Sequence, residues 1–172
     1  MGKDTLDGAI RGGLYRSESF GSFLKIYKDG CIYPRDEKNP SKWSNSYAQY
    51  IGAVALFDFK NSSDENFKFF RKDWYRFFSV EFMPVTIGIG LDWKALSPKI
   101  IPYDDERFRE SIKLKKRLIP HVECWYTHYI KPSEESLTAA LDKYTAWLDA
   151  QIEANLKTVD HPVDQAVFSG RG

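Results

Sequence analysis

The sequence reads as one α+β domain over residues 14–157, a mixed, mostly antiparallel sheet with a C-terminal helix packed against it. Three observations predict this. Extended apolar runs outnumber helical ones and do not alternate regularly with them, which argues against a doubly wound sheet. The strongest helical period lies near the C-terminal end, at 132–157. The length, 172 residues with 42% hydrophobic content, suits a single core. Residues 1–13 and 158–172 are polar and read as flexible termini.

Leu14-Tyr15-Arg16 is a short strand. Ser17 is placed to cap a helix, with Glu18 in its first turn, where an acid suits the helix dipole. Phe20, Phe23, Leu24 and Tyr27 follow at helical spacing, and Lys28-Asp29-Gly30 stops the helix at a glycine able to take positive φ. Cys31 to Pro34 is extended, and 35–46 is a polar loop. Tyr50 to Phe59 is continuously apolar, the pattern of a strand covered on both faces. Asn66 to Trp74 is a short helix or an irregular aromatic segment. Phe77–Phe82 and Val85–Leu91 are further strands. Asp104–Lys116 is a helix with acids first and bases last. Leu118–Tyr126 is a strand carrying Glu123. Pro132-Ser133-Glu134-Glu135 opens the final helix, whose stripe is Leu137, Ala140, Leu141, Tyr144, Trp147, Leu148, Ile152 and Leu156.

Lys and Arg number 25 against 24 Asp and Glu, so no global basic field draws the chain to nucleic acid. Lys113-Leu114-Lys115-Lys116-Arg117 is a local basic run, which also suits a solvated helix end. Aromatic residues reach 16%, enough for a heavily aromatic core or an aromatic-lined cleft. The two cysteines, Cys31 and Cys124, form no CxxC pair and suggest no zinc framework. With no apolar leader and no run long enough to span a membrane, the expectation is a cytoplasmic protein with no membrane partner. The oligomeric state is not legible.

Glu123 stands out. It lies within Ile119-Pro120-His121-Val122-Glu123-Cys124-Trp125-Tyr126, and a buried carboxylate there requires a partner, a solvated cleft or a chemical role. Leu14-Tyr15-Arg16, the capped helix to Gly30, the exit Cys31-Ile32-Tyr33-Pro34, the strand Gly52 to Phe57, and Glu123-Cys124-Trp125-Tyr126 together resemble ADP-ribosyltransferase domains. The flavour is that of DNA-modifying toxins and of NAD-using RNA 2′-phosphotransferases. The resemblance implies a transferase consuming NAD, with a nucleic-acid or protein acceptor and a setting in bacterial toxicity or conflict with phage. It implies that Arg16 and Glu123 are catalytic, Arg16 holding NAD oxyanions and Glu123 stabilising the oxocarbenium-like centre as nicotinamide leaves. Arg16, Ser17, Tyr50 and Phe57 would line the NAD site. The middle strand departs from the family pattern: neither its usual Tyr nor a Ser-x-Ser signature aligns, although Ser44, Ser46, Tyr47 and Tyr50 lie nearby.

Other readings of the same residues are open. Arg16 can be a surface residue and Glu123 a structural acid paired with Lys or Arg. Asp58-Phe59-Lys60, ending an apolar strand, has the spacing of metal-dependent nucleases, with Asp36 or Glu37 as a further acid. His121 and Glu123 share a face if that strand is regular, a pair able to bind metal or do acid–base work. Cys124 then faces away from both, as inert packing. A non-catalytic module with an aromatic groove at Trp43 or Trp93 is the remaining alternative.

Overall fold

The computed structural model describes residues 12–34, 45–66, 68 and 86–159. Its centre is a four-stranded antiparallel sheet in the order β3-β1-β2-β4, made of β1 (Leu14–Ser19), β2 (Val54–Asp58), β3 (Thr86–Leu91) and β4 (Glu123–Tyr126). The helices are α1 (Phe20–Asp29), α2 (Tyr47–Tyr50), α3 (Trp93–Leu96), which runs into a 3-10 turn at Ser97–Lys99, α4 (Asp105–Lys113) and α5 (Glu134–Val159). The class is α+β with the C-terminal helix on the sheet. Among the described residues, the parallel pairing is one isolated bridge, Ser46 to Arg117.

β1 runs longer than the sequence implies, because Ser17 and Glu18 continue its pairing with β3 opposite Gly88 and Ile87. The helix cap moves accordingly to Ser19, whose hydroxyl accepts from the Ser22 N–H. Gly30 closes α1 at φ 65 as expected, its N–H donating to the Ile26 carbonyl. β2 starts at Val54 rather than Tyr50. Ser46 caps α2 through the Gln49 N–H, and Gly52 turns the chain at φ 65 before the strand begins.

The sheet buries both faces. On one, Leu14, Val54, Leu56, Ile87, Ile89, Cys124 and Tyr126 pack with Phe23 and Ile26 of α1 and with Leu137 and Ala140 of α5. On the other, Ala53 and Trp125 pack with Tyr47, Ala48 and Leu118. Double coverage explains why β2 is apolar at consecutive positions. Each fully buried large side chain, such as Leu56 or Ile89, contributes about 1.5–3 kcal/mol. The α5 stripe docks through its first half, Leu141 and Tyr144 included, while Ile152 is exposed. α4 follows its expected polarity, capped by Asp104, though it ends at Lys113. Residues 35–44 of the loop expected at 35–46, nearly all of Asn66–Trp74 and the strand expected at Phe77–Phe82 lie outside the described residues. No helix among the described residues is long and apolar enough to cross a membrane.

Candidate functional site around Glu123 and Arg16

β4 is shorter than the apolar run that predicts it. Pro120, His121 and Val122 form a turn, with His121 at φ 67. Positive φ is uncommon outside glycine and is costly for most side chains. Glu123 clasps this turn from both sides. Its N–H donates to the Ile119 carbonyl at 3.2 Å, and its Oε2 accepts from the Ile119 N–H at 2.7 Å. Its other oxygen, Oε1, accepts from the Trp125 indole at 3.0 Å. The expected alternation of His121 and Glu123 on one strand face is therefore replaced by a turn, and the His121 ring lies against Tyr103, centroids 5.0 Å apart.

Glu123 is buried, at 4% exposure. Loss of hydration pushes its carboxyl up from 4.5 to about 7, against the pull of the Ile119 and Trp125 donors and of the Arg16 charge. Burial likewise raises the Cys124 thiol far above its ordinary value, consistent with inert packing on the opposite sheet face.

Arg16 acts on Glu123 through its charge, but its register opposite Ile89 places it on the Cys124 face of the sheet, opposite Glu123, and its direct partners lie elsewhere. Nε and Nη2 hold Glu18 Oε1 at 2.8 and 2.6 Å, and Nη1 donates to the Ala55 carbonyl at 2.7 Å. The last bond has a topological cause. The register of β1 with β2 runs Leu14–Asp58 and Tyr15–Phe57; backbone bonds between Phe59 and Gly12 and Gly13 extend it on one side, but toward Ser19 it goes no further, whereas β1 keeps six paired positions with β3. Where β1 leaves β2, the guanidinium supplies the donor that a strand amide would have given. Arg16 is thus mostly buried and not the surface residue of the structural alternative, and the partners of Glu123 are neutral donors.

The remaining expected site residues fall as follows. Phe57 is buried in a row across the sheet, paired with Tyr15 on one side and Glu123 on the other. Ser17 is half-buried opposite Gly88. Tyr50 ends α2 on the surface, separate from the strand expected to carry it. Asp58 caps a turn: Oδ1 accepts from the Lys60 and Asn61 amides, and Oδ2 from the Asn61 side chain and the Trp93 indole. The Lys60 ammonium sits 4.4 Å from the Trp93 ring centroid. No cluster of three metal-binding side chains occurs among the described residues. Asp36, Glu37 and Trp43 lie outside them.

Three contributors escape the sequence reading. The helical spacing assigns Glu18 to the first turn of a helix, which hides its position two residues from Arg16 on β1. Trp125, two residues beyond Glu123, has the spacing to share its sheet face, and that alternation was available. Arg107, whose guanidinium carbon is 5.9 Å from the Trp125 ring centroid, arrives from α4 with no local signal. Arg107 also lines a groove of about 680 Å³ along α4, with Asp104, Glu106, Arg109, Glu110 and Lys113.

Compared with protein-family models, with curated proteins and with solved structures, the chain matches none of them.

Proposed function

We propose that the chain is an NAD-consuming, ADP-ribosyltransferase-like enzyme acting through Glu123 and Arg16. The observation that carries the reading is the burial of the Glu123 carboxyl, at 4% exposure and pushed up to about 7 by loss of hydration, with the Arg16 charge acting on it through the sheet from the opposite face. Strongly perturbed acids with a specific charge nearby mark functional sites more often than chance. In this reading the bond from nicotinamide to ribose C1′ breaks and its electron pair leaves with nicotinamide. The acceptor nucleophile then bonds C1′ and gives up a proton. Ionised Glu123 stabilises the positive ribose centre, and Arg16 offers charge to the pyrophosphate. The reading carries a requirement. Both Glu123 oxygens face protein donors, so the Ile119–Glu123 turn must loosen for a ribose to replace the Ile119 N–H.

The test is direct. NAD should raise the melting temperature of the protein, and nicotinamide release should be measurable. Glu123→Gln should keep the NAD-induced shift while turnover drops on the order of 100-fold or more. Absence of both the thermal shift and nicotinamide release in the unsubstituted protein overturns the assignment.

A further inference from the structure

The geometry points to a second site, a binding surface for single-stranded nucleic acid built on Lys113, Lys115 and Lys116 with Tyr50 beside them. A run of cations at a helix end is by itself unremarkable, since the last-turn dipole favours it. Here only Lys113 belongs to α4. The rest of the run leaves the helix through Lys115, at φ 55, and is fixed by a set of backbone bonds. The Lys115 and Lys116 amides donate to the Ile112 and Ser111 carbonyls at 3.0 and 2.8 Å. Asn45 accepts the Arg117 amide on its carbonyl at 2.7 Å and returns its side-chain amide to the Lys115 carbonyl at 2.8 Å. The Tyr47 amide completes the frame on the Arg117 carbonyl. The lysines therefore project from a rigid turn whose chain leads directly into Leu118 and the turn that Glu123 closes.

Charge and ring chemistry favour one ligand class. Lys113 and Lys115 are exposed, and neither described ion pair, Arg16–Glu18 or Arg107–Asp104, uses any of the three lysines. The chain as a whole carries only +1, so this positive patch is local. The Lys116 ammonium lies 5.8 Å from the Tyr50 ring centroid, and that ring is 44% exposed. Ile112, in the last turn of α4, and Leu114, at its C-cap, are also exposed. Closely spaced cations beside an open aromatic face suit a strand whose phosphates are neutralised while a base stacks. A duplex offers no open base, and an acidic peptide gives the ring nothing to stack on.

The inference stands apart from NAD chemistry and fails separately from it. The experiment is fluorescence anisotropy with a labelled oligothymidylate of roughly 20 nucleotides across a salt series. Lys113→Gln, Lys115→Asn and Lys116→Gln combined should lower the steepness of the log-affinity versus log-salt line by about 2, and weaken binding on the order of 100-fold near 0.1 M salt. Tyr50→Leu should weaken binding about tenfold while Tyr50→Phe keeps it. A control neutralising Lys25, Lys94 and Lys99 should bind like the parent, and thermal melts should show every variant folded. The inference is overturned if the parent does not bind, if the control loses as much as the triple variant, or if Tyr50→Leu has no effect. It is equally overturned if phosphatidylserine vesicles or oligoglutamate bind with the same affinity and the same sensitivity to the lysine changes.

Discussion

Glu123 joins two energetic demands in one side chain. Its carboxylate is the acceptor for two N–H groups, and it is also a charge held away from water. The second demand dominates, which is why its titration moves upward. A carboxyl with a folded-state pKa above its unfolded value binds its proton more tightly when folded. Between about 4.5 and about 7, the folded protein therefore holds more protons, and stability falls as pH rises through that window before levelling off. The span corresponds to about 3 kcal/mol. Urea unfolding of the parent and of Glu123→Gln at acidic and mildly alkaline pH measures it. The parent should lose most of that relative to the variant between about pH 5 and pH 8. Parallel pH profiles for the two proteins contradict this assignment.

Among elements, β1 and β2 are held together partly by a side chain. Arg16 ties them through Ala55 while neutralising Glu18, which is itself buried. Arg16→Met removes both services and leaves a carboxylate without a counter-charge, so the expected loss is about 3–5 kcal/mol in chemical denaturation. Arg16→Met combined with Glu18→Leu should recover much of it, because the uncompensated charge is gone. If the double variant is no more stable than the single one, Glu18 is not what Arg16 neutralises. The same elements show what periodicity reveals. The body and C-terminal stop of α1 were legible because its apolar spacing and Gly30 act locally, while its cap, Ser19 rather than Ser17, is set by where β1 stops pairing with β3. The ends of β1, β2 and β4 were not legible. They are set by pairing opposite Gly88 and Ile87, by the Gly52 turn and by a side-chain clasp at Ile119, none of which alters hydrophobic spacing. The identities of Arg16 and Glu123 could be read from sequence, but their partners depend on long-range placement.

At the scale of the whole molecule, the described aromatic residues divide between core and surface: Phe23, Tyr47, Phe57, Phe59, Trp125 and Tyr126 are buried, while Tyr27, Tyr33, Tyr50 and Tyr129 are exposed. Phe23 fills one sheet face, and Trp125 and Tyr47 meet edge-on at 5.4 Å in the other. The second cluster also receives α4, because the Tyr47 hydroxyl donates to Glu110 and Arg107 reaches the Trp125 ring. Burial first, and then the Glu110 carboxylate, push the Tyr47 phenol up to about 12, so it remains a donor across the physiological range. Trp125 thus ties α2, α4 and the Glu123 turn together. Trp125→Phe should cost about 2–4 kcal/mol through lost volume and the orphaned carboxylate oxygen, and should raise the Glu123 pKa further. Calorimetry across pH reads both effects, and an unchanged melting temperature with an unchanged titration argues against this central role.

The early end of the β1–β2 ladder divides the sheet into two firmly laced ribbons, β3 with β1 and β2 with β4, joined along a crease. Hydrogen bonds resist shear best when many act in parallel, and few cross this line. Thermal opening should start there, with the guanidinium as its latch, and the edge it frees borders the row that runs through Phe57 to Glu123.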